Sequence, residues 1–295
     1  MRAAAMLAAA ALAAACGSSQ DGSAERTPEP GPKKRSAGGP DDELVRLTLL
    51  ADTTRVAPGQ ELSLAARFDI APGWHIYWQN PGESGLATEA TFSAPPGFTV
   101  GALRWPGPME FDSPGDIASF GYHELAVLSA PVTAPEQIDA GAMGGAVRFS
   151  VQASWLACRD VCVRGQAAAA IDLQVATADE PARPAHQDLF DRHAEELPRS
   201  LADLEGARAS WRPEGDGRRL TIAVAGATRV EYYPASGEDL TLTGRVAIPA
   251  DGAGGPARVE LTYKAGAPVH AGGILAVASG GRTRYYGVDL QEDAR

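Results

Sequence analysis

The stretch 154–165, SWLACRDVCVRG, constrains the fold more than any other, because two long alternating runs meet at it. Before it, Val147, Phe149, Val151, Ala153 and Trp155 alternate with Arg148, Ser150, Gln152 and Ser154. After it, Ala167, Ala169, Ile171, Leu173 and Val175 take every second position. A period of two gives each strand one face for a core and one for solvent. Cys158 and Cys162 stand where the runs end and begin, separated only by Arg159, Asp160 and Val161. Two strands joined there make a hairpin whose tip sets the sulfurs opposite each other. Cross-strand Cα neighbours lie about 4.5–5.5 Å apart, which suits a disulfide.

The same alternation recurs in short pieces. Leu44–Leu50, Leu62–Ile70, Thr91–Phe98, Ala102–Trp105 and Leu125–Val132 read as strands, as does the aromatic run inside PGWHIYWQNPGESG. The proline-rich segment Pro106–Pro114 reads as a loop. Further on, Leu220, Ile222 and Val224 alternate, and so do Val259, Leu261 and Tyr263; Val230–Tyr233, Leu240–Ile248, Ile274–Ala278 and Arg284–Leu290 complete a second set. Between the sets Leu189, Phe190, His193, Leu197 and Leu201 make one short helical stripe, broken at Pro198. Many short strands at frequent turns give an all-β fold: two β-sandwich domains joined by a short, partly helical connector. The expected boundaries are 43–178 for the first sandwich, 179–206 for the connector and 207–295 for the second. A length of 295 residues is enough for two such cores.

The start of the chain reads as an export signal. Arg2 supplies the positive end, and Ala3–Ala15 is apolar but short for a bilayer span. The small-residue run closes on Cys16 before Gly17-Ser18-Ser19, which resembles a bacterial lipobox, with Leu12 four positions before the cysteine where three is usual. Residues 1–16 are thus expected to be a lipoprotein signal peptide with Cys16 the lipidation site; signal cleavage beside an incidental cysteine is the alternative. Residues 17–42, rich in Gly, Ser, Pro and charge, read as a flexible tether. No later segment is long and apolar enough to be a transmembrane helix. A net charge of −11, spread along the chain, argues against a nucleic-acid partner. Export places the remaining two of the three cysteines where a disulfide persists.

That pair has two readings. As a staple it is weak: a bridge closing a loop of about five residues contributes only ~2 kcal/mol, against ~4–5 for a loop of a hundred, and it joins strands that the hairpin already joins. A close pair at an exposed tip suits reversible exchange, which needs access to a sulfur. C-x3-C on a hairpin lacks the helix N-terminus that lowers a thiol pKa, and Asp160 opposes Arg159 and Arg164. Other chemistries have less behind them. His75, His123, His186, His193 and His270 show no zinc spacing; His186 and His193 read as solvated, and Ser84 as a turn residue. Trp74, Tyr77 and Trp78 read as sandwich core. A soft-metal site from Cys158 and Cys162 with Met109 or His123 stays open on ligand type alone. No cofactor motif is found, and no metal site is assigned.

Taken in order, PGWHIYWQNPGESG, SFGYHELAVLSAPV and SWLACRDVCVRG resemble the N-terminal periplasmic domain of DsbD-type protein-disulfide reductases, in the variant found in ScsB-like suppressors of copper sensitivity. The resemblance covers Leu44–Val175, with a weaker likeness of Ala207–Leu290 to the second β domain of ScsB-like proteins. It implies immunoglobulin-like sandwiches and a protein thiol–disulfide oxidoreductase component whose redox pair is Cys158 and Cys162. Phe120 falls where the family places an aromatic cap, with Tyr122, His75 and Tyr77 near the site. Ala118 and Ser119 stand where some relatives have acidic residues. In some relatives the second cysteine forms the mixed disulfide, which points to Cys162. The implied partners are periplasmic thioredoxin-like or disulfide isomerase-like proteins and a membrane electron-transfer protein acting in trans. The implied setting is the periplasm of a Gram-negative-type bacterium, with the protein held to the membrane by its lipid. The alternative is a non-enzymatic periplasmic lipoprotein that binds a protein or copper ion and keeps the disulfide as a staple.

Overall fold

The computed structural model describes residues 44–113, 117–139, 141, 145–235, 242–251, 255–264 and 270–291. The expected signal peptide, Cys16 and the tether lie outside the described residues.

The first sandwich contains β1 (Val45–Ala51), β2 (Arg55–Val56), β3 (Glu61–Ile70), β4 (His75–Gly82), β5 (Glu89–Ser93), β6 (Thr99–Val100), β7 (Met109–Ser113), β8 (Ile117–His123), β9 (Leu125–Thr133), β10 (Ala146–Cys158) and β11 (Cys162–Val175). One sheet runs β1-β3-β9-β6; the facing sheet runs β2-β11-β10-β4-β8-β7, with β5 also paired to β10. The alternation in β10 is kept: Val147, Phe149, Val151, Ala153, Trp155 and Ala157 are buried between the sheets, while Arg148 and Gln152 face water. Phe68 meets Trp155 edge-on with centroids 5.6 Å apart. Gly165 lies opposite Trp155 because the indole occupies its side-chain space: a Cβ there would sit 2.3 Å from Trp155 Nε1. The chain changes sheets between β8 and β9 at Glu124, whose φ of 61° turns the backbone while its carbonyl accepts from the Ile70 amide.

Helix α1 (Gln187–Glu196) lies on the outer face of the β1-β3-β9-β6 sheet, where Leu189 and Phe190 pack with Ala65, Val127 and Leu50. The stripe therefore places the helix, but the helix stops before Leu197, and Leu201 begins a separate 3-10 turn after Pro198. His193 corrects the solvated reading. It is buried under the helix, its Nε2 2.8 Å from Ser129 Oγ.

The second sandwich contains β12 (Arg199–Ser200), β13 (Ala207–Glu214), β14 (Gly217–Val224), β15 (Arg229–Pro234), β16 (Leu242–Ile248), β17 (Ala257–Tyr263), β18 (His270–Ser279) and β19 (Arg282–Gln291). Its sheets run β12-β19-β18-β15 and β13-β14-β17-β16. Leu220, Ile222, Val259, Leu261, Tyr232, Leu275 and Tyr286 fill the space between them. The alternate residues Tyr233, Ile274 and Ala276 join the core of the first sandwich instead. Each face of the β12-β19-β18-β15 sheet thus packs on a different core. Asn80 Nδ2 donates to the Pro234 carbonyl (2.9 Å), and the Gly107 amide donates to the last helical carbonyl, of Glu196 (2.9 Å).

Three expectations about strands are corrected. Thr91–Phe98 contains strand only as far as Ser93, before Pro95 and Pro96 remove ladder donors. Ala102–Trp105 contributes a single bridge, Arg104 to Ser129. Pro106–Pro114 is not all loop: Met109–Ser113 forms β7, an edge strand, where a flanking proline costs no ladder bond.

Candidate functional site

The hairpin tip carries the disulfide. Cys158 and Cys162 are register partners at the end of β10 and the start of β11, bonded, with Cα atoms 4.2 Å apart. They differ in exposure. Cys158 is 2% exposed, whereas Cys162 is open to solvent beside Val161, which is 64% exposed. The tip is braced from below: the Arg159 guanidinium lies 5.1 Å from the Trp74 ring and its Nε is 3.0 Å from Asp160 Oδ2.

Pairing across the sheet sets a row. Cys158 is opposite His75 on β4, and His75 is opposite His123 on β8. Directly opposed residues share a face, so all three, with Cys162, project from the outer side of the sheet, opposite to Ala157 and Trp155. Tyr77 follows on the same face, its ring in the side-chain space of Gly85. The His75 ring is held between aromatic neighbours: it stacks on Phe111 of β7 with centroids 4.6 Å apart and planes 19° apart, and meets Tyr77 edge-on at 5.2 Å. Phe111 also lies edge-on to His123 at 6.3 Å. Burial lowers the His75 pKa below its ordinary value, so the imidazole is neutral near pH 7, and its buried Nε2 has no hydrogen-bond partner among the described residues.

Of the four residues expected beside the pair, His75 and Tyr77 are on its face. Tyr122 and Phe120 are on the other. Tyr122 is opposite the core residue Ile76, and its hydroxyl donates to the Pro106 carbonyl at 2.8 Å. Phe120 is a strand residue, 3% exposed. Its ring meets Tyr233 edge-on at 5.3 Å and lies beneath the Arg245 guanidinium at 5.1 Å, both from the second sandwich. A further aromatic ring on the cysteine face is that of Phe111, which lies in a segment that reads as a loop from sequence. The signal available was the alternation of Met109 and Phe111 around Glu110. Among the described residues no three His, Cys, Asp or Glu side chains are grouped to hold a metal ion.

Fold and site together define a class: an immunoglobulin-like sandwich carrying a disulfide at the tip of a hairpin. Residues 47–173 match the family model for the N-terminal domain of thiol:disulfide interchange protein DsbD. That part of the chain thus carries the sequence pattern of this domain family. The crystal structure of the N-terminal periplasmic domain of ScsB from Proteus mirabilis has the same fold, with a TM-score of 0.60 at 17% identity over 86% of this chain and 97% of that one. A marsupial T cell receptor aligns over 85% of this chain and 97% of its own at 12% identity, but at a TM-score of 0.18 it carries no argument. No protein of curated function matches the chain.

Proposed function

We propose that this protein is a periplasmic thiol–disulfide exchange module that passes electrons between the Cys158–Cys162 pair and partner proteins of thioredoxin-like or disulfide isomerase-like type. The observation that carries it is the unequal exposure of two bonded cysteines at a hairpin tip. A bridge that closes so short a loop adds little to stability, whereas one open sulfur gives an incoming thiolate a single point of attack. A partner thiolate attacks Cys162 Sγ; the Cys158–Cys162 bond breaks and Cys158 leaves as a thiolate. A second partner thiolate then attacks the partner sulfur of the mixed disulfide and releases Cys162. The partner dithiol becomes a disulfide, two electrons enter the pair, and both cysteines take up protons. The reverse sequence reduces a partner disulfide. In that direction the neutral His75, opposite Cys158, is the base that takes the Cys158 thiol proton before Cys158 resolves the mixed disulfide. Phe111, stacked on His75, lies on the face of the sheet that carries the inner cysteine, and Cys162 is the sulfur open to partners.

Support for a partner-docking surface comes from the large apolar side chains left open on this side. Val161 is at the tip, Met109 of β7 (38% exposed) is opposite Gly121 of β8, and Leu86 (43%) follows Gly85. The periplasmic setting is carried over from the ScsB domain, and a membrane electron-transfer protein supplying the pair in trans belongs to the same reading.

The test is a redox titration together with trapping. An exchanging pair has a potential near those of periplasmic donors, and Cys158→Ser accumulates a mixed disulfide through Cys162 in cells. A potential below about −300 mV would mark the bridge as a structural staple and overturn the exchange role.

A further inference from the structure

The second sandwich meets the cysteine-bearing sheet at its edge strand, β7. Successive residues of β7 face opposite ways. Glu110 is opposite Phe120 and shares its face; Phe111 is on the other face, against His75. The Glu110 carboxylate accepts from both terminal nitrogens of Arg245 on β16, Nη1 to Oε2 and Nη2 to Oε1, each at 2.9 Å. The same guanidinium donates from Nη1 to the Tyr232 carbonyl of β15 (3.1 Å) and lies over the Phe120 ring of β8. Neither partner of the ion pair is fully solvated, with side-chain exposures of 19% for Arg245 and 29% for Glu110. A two-pronged, part-buried pair of this kind fixes orientation as well as distance. An edge strand has only one neighbour in its sheet, so a side-chain tie on its other flank bears directly on where it sits.

We propose that the second sandwich controls access to the redox pair: Arg245 holds β7 through Glu110, and β7 in turn keeps Phe111 stacked on His75 beside Cys158. Arg245 is a positioning residue on this account, acting through one backbone unit, with Glu110 on one side of the strand and Phe111 on the other. A partner that displaces β7 from Arg245 thereby uncovers the inner sulfur. The inference rests on the exchange function in asking what the shield is for, but the shield itself can be measured in the reduced protein whatever that function is.

The experiment follows alkylation of Cys158 and Cys162 by iodoacetamide, resolved by mass spectrometry, in the reduced full chain. Phe111→Ala should speed modification of Cys158. Arg245→Ala should do so roughly five-fold, equivalent to a coupling of ~1 kcal/mol. In the double variant Cys158 should react no faster than with Phe111→Ala alone, because both changes remove the same obstacle. Glu110→Gln removes the ion pair from the first sandwich's side and should match Arg245→Ala; Arg245→Lys should restore part of the protection. Circular dichroism establishes that each variant is folded. Unchanged Cys158 alkylation in folded Glu110→Gln and Arg245→Ala proteins would overturn the proposal, as would a double variant in which the two effects multiply. A bridge potential in the staple range would remove the exchange function and leave these rates as they are.

Discussion

At the scale of the residue, the cysteine pair is asymmetric, and the proposed exchange gives His75 the part of proton acceptor. Its ring is fixed by two aromatic contacts and its opposite residue is Cys158. Burial lowers its pKa, which keeps a proton acceptor available at neutral pH. His75→Gln is expected to slow the resolving step when the reduced protein meets a disulfide such as DTNB, leaving the first thiol attack unchanged. The rate of the second TNB release should lose its dependence on a group titrating below the ordinary histidine value. Stopped-flow traces between pH 5 and 8 separate the two steps, and an unaltered second-step pH profile would sink the proton-acceptor role.

At the scale of the element, α1 stores a pH response in the packing of one imidazole. Burial, with the Arg104 guanidinium second, brings the His193 pKa down to about 4. In the unfolded chain the ring titrates near its ordinary value of about 6.5. Between these values the unfolded state binds the extra proton, so stability rises with pH there and falls as acid is added from about 6.5 towards 4. The loss is on the order of 2–3 kcal/mol. Urea melts across that range should show the slope in the wild type and a flatter one in His193→Asn; equal slopes would contradict it. Periodicity in the sequence located α1 but could not show this burial, since Ser129, the hydrogen-bond partner, is a non-local neighbour on β9. The same limit decided the site. Alternation gave the β10–β11 hairpin and the position of both cysteines, because it is a property of neighbouring residues. It missed β7, whose edge position lets prolines flank it, while the resemblance placed the aromatic cap at Phe120. What distinguishes Phe111 from Phe120 is which face of a sheet each takes, and that depends on the pairing of β7 with β8 and of β8 with β4.

At the scale of the whole molecule, the expectation of a membrane tether concerns residues outside the described part. If Cys16 carries lipid, Cys16→Ser should move the protein from the membrane fraction to the soluble periplasmic extract. A wild-type protein already found in that extract would refute the anchor. The all-β character and the two sandwiches were legible from composition and alternation. The joint between them was not, because residues that serve two cores, such as Tyr232 and Tyr233, look like a continuous apolar run. The sheet β12-β19-β18-β15 is clothed by one hydrophobic core on each side. It is therefore a party wall: neither room can be removed without leaving the wall bare, and Tyr233, Ile274 and Ala276 on one side or Tyr232, Leu275 and Val277 on the other would be handed to water. The division near residue 200 is a division of chain order, and calorimetry is expected to show the two halves melting in one transition; two separate transitions would contradict it.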